Sequence, residues 1–479
     1  MMENYKIIQV LRTFDKRELR NFGEFVYSPY FNKNEPVKRL FDTFEKYYPG
    51  FTNRNLTPEK IFIKVFPKDK YDYHKINNVI SDLYKLSERF LAYQHAEQSE
   101  YFIERNIFRS LRNKELYKIY EQKHAAYMKE LIARRFKDEE FYFYLYEMND
   151  EYLWYATIKK PNTELNILQT EFDHFFRFVL IRMLRFYNLM LHERNQNNVD
   201  YKLTMFHEIL GYITKEKIEE IPAMLVFRTI LLLLHTKDNQ YYKELWRLKE
   251  KYFNEFKFDD QYLIFIHLYD FAAYMVNFTG DDSYNRDMYV IYKEMIEKRF
   301  MTPDNFLFPN FMNVVKISCR VGEYDYADNF IKNFQFSIPE AERNNVLEFC
   351  YGVMEFSKGN LKNALKHFSK SNFQNFLFKV QVKILLLKIY FKLGMYEQAL
   401  AMIDTFKHFV AREENLLPEH RISYDSFLNL MLELVRTMEE HNPKEKEFKL
   451  QKIAKDAEKI PANPFRIKRW LIDEIKNSS

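Results

Sequence analysis

Two pairs of basic residues in the second half of the chain have a spacing that suits anion binding. Lys316 and Arg320 are four residues apart, and Lys388 and Lys392 repeat that spacing further along. Positions i and i+4 of a helix share one face, so each pair would present two cations side by side. Lysine and arginine donate charge-assisted hydrogen bonds to carboxylates and phosphates. The pairs therefore predict a surface for an acidic or phosphate-bearing ligand, with solvated surface charges as the alternative.

A second pattern, Glu-x-x-His, joins Glu121 to His124 and Glu171 to His174 and has the spacing of a carboxylate-bridged metal site. Such a site needs two of these segments and two further glutamates inside one four-helix bundle. The chain contains 12 histidines, and with its many glutamates about one such segment is expected by chance. We therefore expect no metal site.

The sequence shows no motif of a familiar catalytic or cofactor site. HExxH, CxxC, P-loop, Gly-x-Ser-x-Gly and GxGxxG patterns are absent, although a catalytic site assembled from distant residues would leave no such pattern. Cys319 and Cys350 are too few for a disulfide framework, and no nearby histidine motif marks either as a nucleophile. We expect a protein that is not an enzyme and has neither catalytic residues nor a cofactor.

The composition favours helices and a reducing compartment. The chain has 8 glycines and 14 prolines in 479 residues, too few for the turns of most β architectures. The net charge of +5 is a weak bias compared with that of a dedicated nucleic-acid binder. No signal-peptide pattern is present, and the most apolar run, residues 230–234, is too short to cross a bilayer. We expect an all-α cytoplasmic protein without membrane association.

Three glycines organise the elements that would carry the basic pairs. Gly322, Gly359 and Gly394 recur at intervals of about 35 residues, a period typical of stacked helix-turn-helix units. Each glycine permits the backbone of a tight turn. The pattern predicts first helices that end near Arg320, Ser357 and Lys392 and second helices that begin at Tyr324, Leu361 and Tyr396.

The second helices carry an alanine followed four residues later by a bulky side chain, as Ala327/Ile331, Ala364/Phe368 and Ala399/Ile403. Together with the aromatic Tyr390 and the closing Pro339, this pattern resembles the tetratricopeptide repeat over about residues 305–411. The other two units lack a closing proline, and the family's tryptophan is absent. The resemblance implies a right-handed α-solenoid whose first helices line a concave groove.

The same resemblance places the four basic residues in that groove, together with Met312, Phe349, Ile384 and Phe391 as apolar contacts. It implies a protein–protein interaction adaptor or scaffold whose partner is an acidic peptide or helix. The asparagine of the family's carboxylate clamp is lacking, so capture of a peptide C-terminus is not expected.

A different function is suggested by residues 58–93, which loosely resemble the helical part of a winged-helix domain. The resemblance would place His74, Lys75, Asn77, Asn78 and Ser81 in a DNA groove. The turn lacks glycine, flanking strands are not evident, and basic residues are sparse for phosphate contacts. A nucleic-acid-binding regulator, with the solenoid as its sensor, is therefore the alternative to the adaptor. A solvated face of an N-terminal helical domain is the simpler interpretation.

The apolar spacing divides the chain into three segments. These are an N-terminal helical domain at residues 1–97, a region of long connecting helices at 98–220, and a solenoid at 221–479 that ends in a capping helix at 464–476. Long helices are expected at 100–134, 138–158 and 163–195. A proline after a capping residue predicts helix starts at Pro58, Pro303 and Pro443.

Overall fold

The computed structural model describes residues 4–51, 56–159, 166–197, 199–215, 220–304, 306–413, 416, 418–461 and 464–478, with residues 196, 197, 477 and 478 described by their backbone alone. Helices make up 80% of the structure, and the described residues contain no strand. The expectation of an all-α protein is confirmed. In these ranges no helix combines the length and the apolar composition that crossing a membrane requires.

The chain divides into two compact units. Unit 1 comprises Met1–Arg134 and Phe141–Phe175, and unit 2 comprises Arg135–Glu140 and Phe176–Ser479. The boundary expected after residue 97 therefore falls within unit 1, and the boundary expected after residue 220 falls within unit 2. The chain changes unit three times, and the third change, after Phe175, falls inside one long helix, Ile167–Asn197.

Unit 1 begins with five helices around an aromatic core. Asp15 caps the second helix through a capping box with Glu18, and Thr57 caps the fourth helix, where Pro58 is the first residue as predicted. Phe22, whose side chain is buried, is one of several aromatic residues of this core. The helices that begin before residue 176 are α1 (Lys6–Thr13), α2 (Lys16–Tyr27), α3 (Glu35–Glu45), α4 (Pro58–Val65), α5 (Tyr73–Gln98), α6 (Glu100–Asn113), α7 (Tyr117–Ile132), α8 (Glu139–Lys159) and α9 (Ile167–Asn197).

The prediction of a single helix at residues 100–134 is wrong, because the structure has two helices there, α6 and α7. Between them Glu115 has a φ of 59°, a left-handed conformation that ends α6. Leu116 N donates to the carbonyl of Leu111, which closes the turn. The apolar periodicity continues through the break, so the sequence pattern did not reveal it. Residues 163–165 of the next expected helix lie outside the described residues.

Unit 2 consists of helices joined mostly by short turns. They are α10 (Phe206–Lys215), α11 (Pro222–Thr236), α12 (Asn239–Tyr252), α13 (Phe258–Tyr274), α14 (Tyr284–Glu297), α15 (Phe308–Arg320), α16 (Tyr324–Phe334), α17 (Glu340–Ser357), α18 (Leu361–Phe368), α19 (Phe376–Lys392), α20 (Tyr396–Ala411), α21 (Pro418–Met438), α22 (Pro443–Glu458) and α23 (Ile467–Ser478). In the second half, α15 packs on α16 and α17, α17 on α18, and α19 on α20.

The three repeated glycines form the predicted turns. Gly322, Gly359 and Gly394 have φ values of 81°, 83° and 70°, which favour glycine over any residue with a Cβ. The helices before and after each glycine end and begin at the residues that the repeat pattern predicts. The alanine on each second helix is buried with 0% exposure, as close helix packing requires.

One other glycine marks a close approach between two helices. Gly352 lies in α17 against the ring of Phe368 in α18, where a Cβ would come within 2.8 Å of the ring carbon Cε1. Since real Cβ atoms do not approach another atom so closely, only glycine fits without movement of the ring. This contact explains the small residue at that position of the unit.

Two of the three predicted helix starts at proline are confirmed. Pro58 and Pro443 each stand at the first turn of a helix, behind the side-chain caps Thr57 and Asn442. The third is wrong: Pro303 lies in a turn, and α15 begins at Phe308 with Pro309 in its first turn.

The end of the chain packs on the helices before it. Ile467, Leu471 and Ile475 of α23 are buried in one apolar core with residues of α19, α20, α21 and α22. Just before α23, Phe465 and Arg466 have φ values of 52° and 57°. Two successive left-handed residues that are not glycine strain the backbone. The Phe465 carbonyl accepts a hydrogen bond from Lys388 of α19, and Arg466 lines a cavity together with residues of α15 and α19.

Candidate functional site

Three of the four predicted basic residues meet at one cavity inside unit 2. Lys316 and Arg320 come from α15 and Lys388 from α19, and Arg466 completes the group from the segment before α23. The cavity has a volume of about 260 Å³. We call it the cationic cavity. Its apolar wall is formed by side chains of α17, α19 and the C-terminal segment, chiefly Val353, Phe356, Ile384, Leu385, Phe465 and Trp470.

A second cavity of about 490 Å³ shares part of this lining. Lys316, Arg320, Gln381 and Phe465 line both spaces, so the two adjoin. The second cavity is lined mainly by uncharged side chains, among which Phe278 and Leu377 are 52% and 48% exposed. A ligand anchored at the cations could therefore extend along an apolar surface.

The four cations differ in what already contacts them. Lys388 is 4% exposed and donates from Nζ to the carbonyl of Phe465 at 3.2 Å, while its ammonium lies 5.4 Å from the ring centre of Trp470. Arg466 forms an ion pair with Asp282. Arg320 donates to the Oδ1 of Asn285 at 3.4 Å. Lys316 has neither a hydrogen bond nor an ion pair from its side chain to any described residue.

Burial and mutual repulsion destabilise the charged forms of these side chains. Burial, with a contribution from Arg320, lowers the pKa of Lys316 to about 7. Burial and the charge of Arg466 lower the pKa of Arg320 to about 10. The pKa of Lys388 lies well below its ordinary value for the same two reasons. The lowered pKa values thus reflect burial first and the proximity of other cations second.

Acidic side chains balance part of the charge of these basic residues, and Asp282, the partner of Arg466, lies outside the cavity lining. Asp473 is the one carboxylate among the described residues that line the cationic cavity. It also pairs with Arg469 at 3.2 Å, one turn earlier in α23. Buried ionisable groups are normally paired, bound to an ion or neutralised by a shifted pKa, and the lowered pKa values of Lys316 and Lys388 are of the last kind.

The fourth predicted basic residue, Lys392, does not line either cavity. Its Nζ lies 3.1 Å from a carboxylate oxygen of Glu474 in α23, and its side chain is 34% exposed. The i, i+4 spacing of Lys388 and Lys392 therefore does not bring both ammonium groups to the same cavity, although they share a helix.

Of the predicted apolar contacts, only Ile384 lines the cationic cavity. Met312, Phe349 and Phe391 are 0%, 0% and 5% exposed. Their side chains are part of the core and offer no surface to a partner. The expectation that they would form an apolar groove is corrected by their burial.

Sequence reasoning missed Gln381, Trp470 and Arg466. Gln381 precedes Lys388 by two helical turns, so the sequence spacing already places both residues on one face of a helix. Arg466 and Trp470 come from a segment far along the chain, and no local pattern links them to α15. Their place in the cavity follows from tertiary packing alone.

The Glu-x-x-His segments do not form a metal-binding group among the described residues. The group of potential ligands found there is His192, His267 and Asp270, whose ligand atoms lie within 4.8 Å of one another. His192 Nδ1 lies 3.3 Å from Asp270 Oδ2. Burial lowers the pKa of His267 to about 4 and keeps it neutral at physiological pH. The Nδ1 of His267 is buried and has no hydrogen-bond partner among the described residues.

The residues proposed to face DNA lie at the start of α5. His74, Lys75, Asn78 and Ser81 are exposed, whereas Asn77 is half-buried and accepts a hydrogen bond from the hydroxyl of Tyr5 at 3.4 Å. Lys75 pairs with Asp69 and lies 4.3 Å from the ring centre of Phe66. Part of this face is thus occupied by contacts within unit 1, and the DNA hypothesis stays a prediction.

Comparison with known proteins adds no relative. No protein-family model matches the sequence, and no curated protein matches it. The resemblance to tetratricopeptide repeats, and the function that it implies, therefore rest on the residues of this chain.

Proposed function

We propose that this chain is a non-enzymatic adaptor or scaffold that binds an acidic or phosphate-bearing segment of a protein partner. In this proposal, residues 221–479 form a right-handed tetratricopeptide-like solenoid with α23 as its terminal cap. The partner segment lies in the concave groove of the solenoid and places its anionic group in the cationic cavity.

The repeat geometry supports the solenoid. Each of the three glycine turns joins two helices that pack on each other, and α15 also packs on the first helix of the following unit, α17. Contacts between corresponding helices of neighbouring units are what stack a helical repeat. The apolar face of α23, which is covered by the preceding helices, suits a cap at the end of such an array.

The observation that carries the binding function is the convergence of four cations from three parts of the chain on one cavity. Such a cluster is costly in the unliganded protein, because it keeps like charges close together and partly dehydrated. An anionic side chain from a partner would offset this cost. The exposed rings and methyl groups of Phe278 and Leu377 beside it could bind apolar residues of the same segment.

The cysteines are consistent with a cytoplasmic location, which we include in the proposal. Cys319 and Cys350 are both buried and form no disulfide. Burial raises the pKa of the Cys319 thiol to about 12, so neither nucleophilic catalysis nor easy oxidation is expected there.

Affinity purification with three versions of the full chain tests the function. The wild type is compared with a double variant that carries Lys316→Met and Lys388→Met, and with a control double variant that carries Lys362→Met and Lys383→Met. Methionine is used because a carboxylate at the buried position 388 would itself be a buried charge. We expect the first variant to lose a partner that the wild type and the control both retain.

The partner identified in this way is then purified and its affinity measured with each version at two salt concentrations. Added salt should weaken wild-type binding, since the interaction depends on charge. Equal recovery of the same proteins by all three versions would refute the adaptor function proposed for this cavity.

A further inference from the structure

We propose that the cationic cavity is a binding site for a phosphate monoester group, recognised by Lys316, Arg320, Lys388 and Arg466. This inference rests on the proposed function, because it specifies the anion that the same site would take. It specifies a phosphate rather than a carboxylate as the bound anion, a choice that the proposed function leaves open.

The first argument is charge. Four basic side chains and one carboxylate are found among the described residues of the cavity wall; that carboxylate also pairs with Arg469, and Arg466 already pairs with Asp282. A carboxylate ligand brings a single negative charge, whereas a phosphate monoester brings about 1.5 to 2 at neutral pH. The larger charge is the better match to a cluster in which Lys316 has no ion pair with any described residue.

The second argument is the number and direction of hydrogen-bond donors. The ammonium and guanidinium groups reach the cavity from α15, from α19 and from the segment before α23. A phosphate group presents three terminal oxygens in a pyramid, and a carboxylate presents two in a plane. A phosphate has one more terminal oxygen than a carboxylate and so offers more acceptor sites to donors that come from three parts of the chain.

The third argument is a buried polar side chain that lacks a partner. Gln381 is 5% exposed and lines both cavities. Its amide forms no hydrogen bond with any residue that the structure describes. The amide atoms are not among the fully buried unpaired atoms of the described residues, so the amide is accessible from the cavity and can hydrogen-bond to a ligand oxygen there.

The size and the walls of the cavity indicate what carries the phosphate. A volume of about 260 Å³ exceeds the space of a single phosphate, and the apolar side chains of Phe356, Leu385 and Trp470 border it. The space suits a phosphate together with the organic group to which it is attached. Both a phosphorylated side chain of a protein and a small phosphorylated molecule have this chemistry.

The experiment titrates inorganic phosphate into the full-length chain at constant ionic strength, with acetate as the carboxylate probe. Binding is measured by calorimetry, and thermal unfolding is followed in parallel. We expect phosphate to bind and to raise the Tm, while acetate at the same ionic strength has a much smaller effect.

Variants then localise the binding. Lys316→Met and Lys388→Met should each weaken phosphate binding by about ten- to a hundredfold, the effect of one lost charge-assisted hydrogen bond. Lys383→Met is the matched control, since Lys383 is half-buried in α19 but lines neither cavity. Its phosphate affinity should stay at the wild-type value.

The expected loss of phosphate binding in these variants should not come from misfolding. Lys316→Met removes a buried cation without a partner among the described residues and should leave the Tm without phosphate unchanged or raise it, whereas Lys388→Met also removes the hydrogen bond to the Phe465 carbonyl and should lower the Tm slightly. If one variant fails to fold, the other gives the same test. A wild type that does not respond to phosphate, or variants that respond as strongly as the wild type, would overturn the phosphate site.

The outcomes also separate this inference from the proposed function. If phosphate binds but the Lys316/Lys388 double variant retains every partner, the adaptor function fails and the phosphate site stands. If that variant loses its partner but neither phosphate nor a phosphopeptide competes with the wild-type complex, the phosphate site is wrong and the adaptor stands. Tighter binding of a phosphoserine peptide than of a sugar phosphate assigns the group to a protein, and the reverse order assigns it to a small molecule.

Discussion

Lys316 is a buried lysine whose charge is sensitive to its surroundings. A lysine in water has a pKa of about 10.4, but burial and the neighbouring Arg320 lower the pKa of Lys316 to about 7 in the folded protein. A bound anion would favour the ammonium form and raise this pKa again. The same residue therefore links protonation, folding stability and ligand binding.

The first prediction concerns the pH dependence of stability. Between pH 7 and pH 9 the unfolded chain keeps a proton on Lys316 that the folded chain releases, so the free energy of unfolding should rise with pH. The contribution of this one residue is at most about 1.4 kcal/mol per pH unit. Urea unfolding of the wild type and of Lys316→Met across this range measures it, and the rise should be smaller in the variant.

Lys362→Met is the control for this measurement, because Lys362 is an exposed lysine of α18 outside the cavity. It should retain the full wild-type pH dependence. Lys388 also has a lowered pKa, so part of the rise should persist when Lys316 is replaced. Identical pH profiles for the wild type and Lys316→Met would contradict the lowered pKa of that residue.

At the scale of single elements, the turns between paired helices depend on backbone conformation more than on side-chain packing. Gly394 has a φ of 70°, and no atom lies within 4 Å of the position that its Cβ would occupy. The requirement for glycine there is thus conformational and not steric. The same holds for Gly322 and Gly359.

The second prediction is that Gly394→Val destabilises the protein by about 1–3 kcal/mol, the cost of a β-branched residue in a left-handed conformation. Gly211→Ala provides the control, since Gly211 lies inside α10 with open space around it and without a positive φ. Alanine favours the helix there and should stabilise it by up to about 1 kcal/mol. Chemical denaturation measures both changes, and an unaltered midpoint for Gly394→Val would mean that this turn tolerates a side chain.

Helix α19 shows why a shared helix face does not ensure a shared environment. Lys388 is almost completely buried, whereas Lys392, one turn later, is paired with Glu474. The C-terminal segment covers the first of these lysines, and the terminal helix provides the partner of the second. The spacing of the two residues in α19 contains no information about either contact.

At the scale of the whole molecule, residues far apart in sequence build the cavity. Lys388 and Phe465 are 77 residues apart, and Arg466 and Asp282 are 184 residues apart. Contacts of this range form only after the intervening helices have packed. The cavity is thus a product of the complete fold of unit 2.

The third prediction is a far-ultraviolet circular dichroism spectrum dominated by helix, as a structure with 80% helix requires. This is well above the usual third of residues in globular proteins. The spectrum is measured on the purified full chain. A spectrum with mainly β character would remove the helix pairs on which both proposals depend.

The sequence by itself determined the all-α class, the three glycine turns and the helix ends beside them. Those features depend on residues that are neighbours in the chain: a glycine that allows a positive φ, an alanine five residues later, and a capping side chain before Pro58 or Pro443. The local sequence pattern gave a wrong prediction at two places where the residues are compatible with more than one backbone conformation. The break at Glu115 interrupts a continuous apolar pattern, and the capping pattern at Pro303 does not start a helix.

Only the tertiary structure decided which side chains meet. The sequence indicated that Lys316, Arg320 and Lys388 lie on helices, but not that Arg466 and Gln381 join them around one cavity. It also could not show that Met312, Phe349 and Phe391 belong to the core. The physical reason is that periodicity defines the faces of a helix, whereas the burial and the charge environment of each face depend on the distant segments that pack against it.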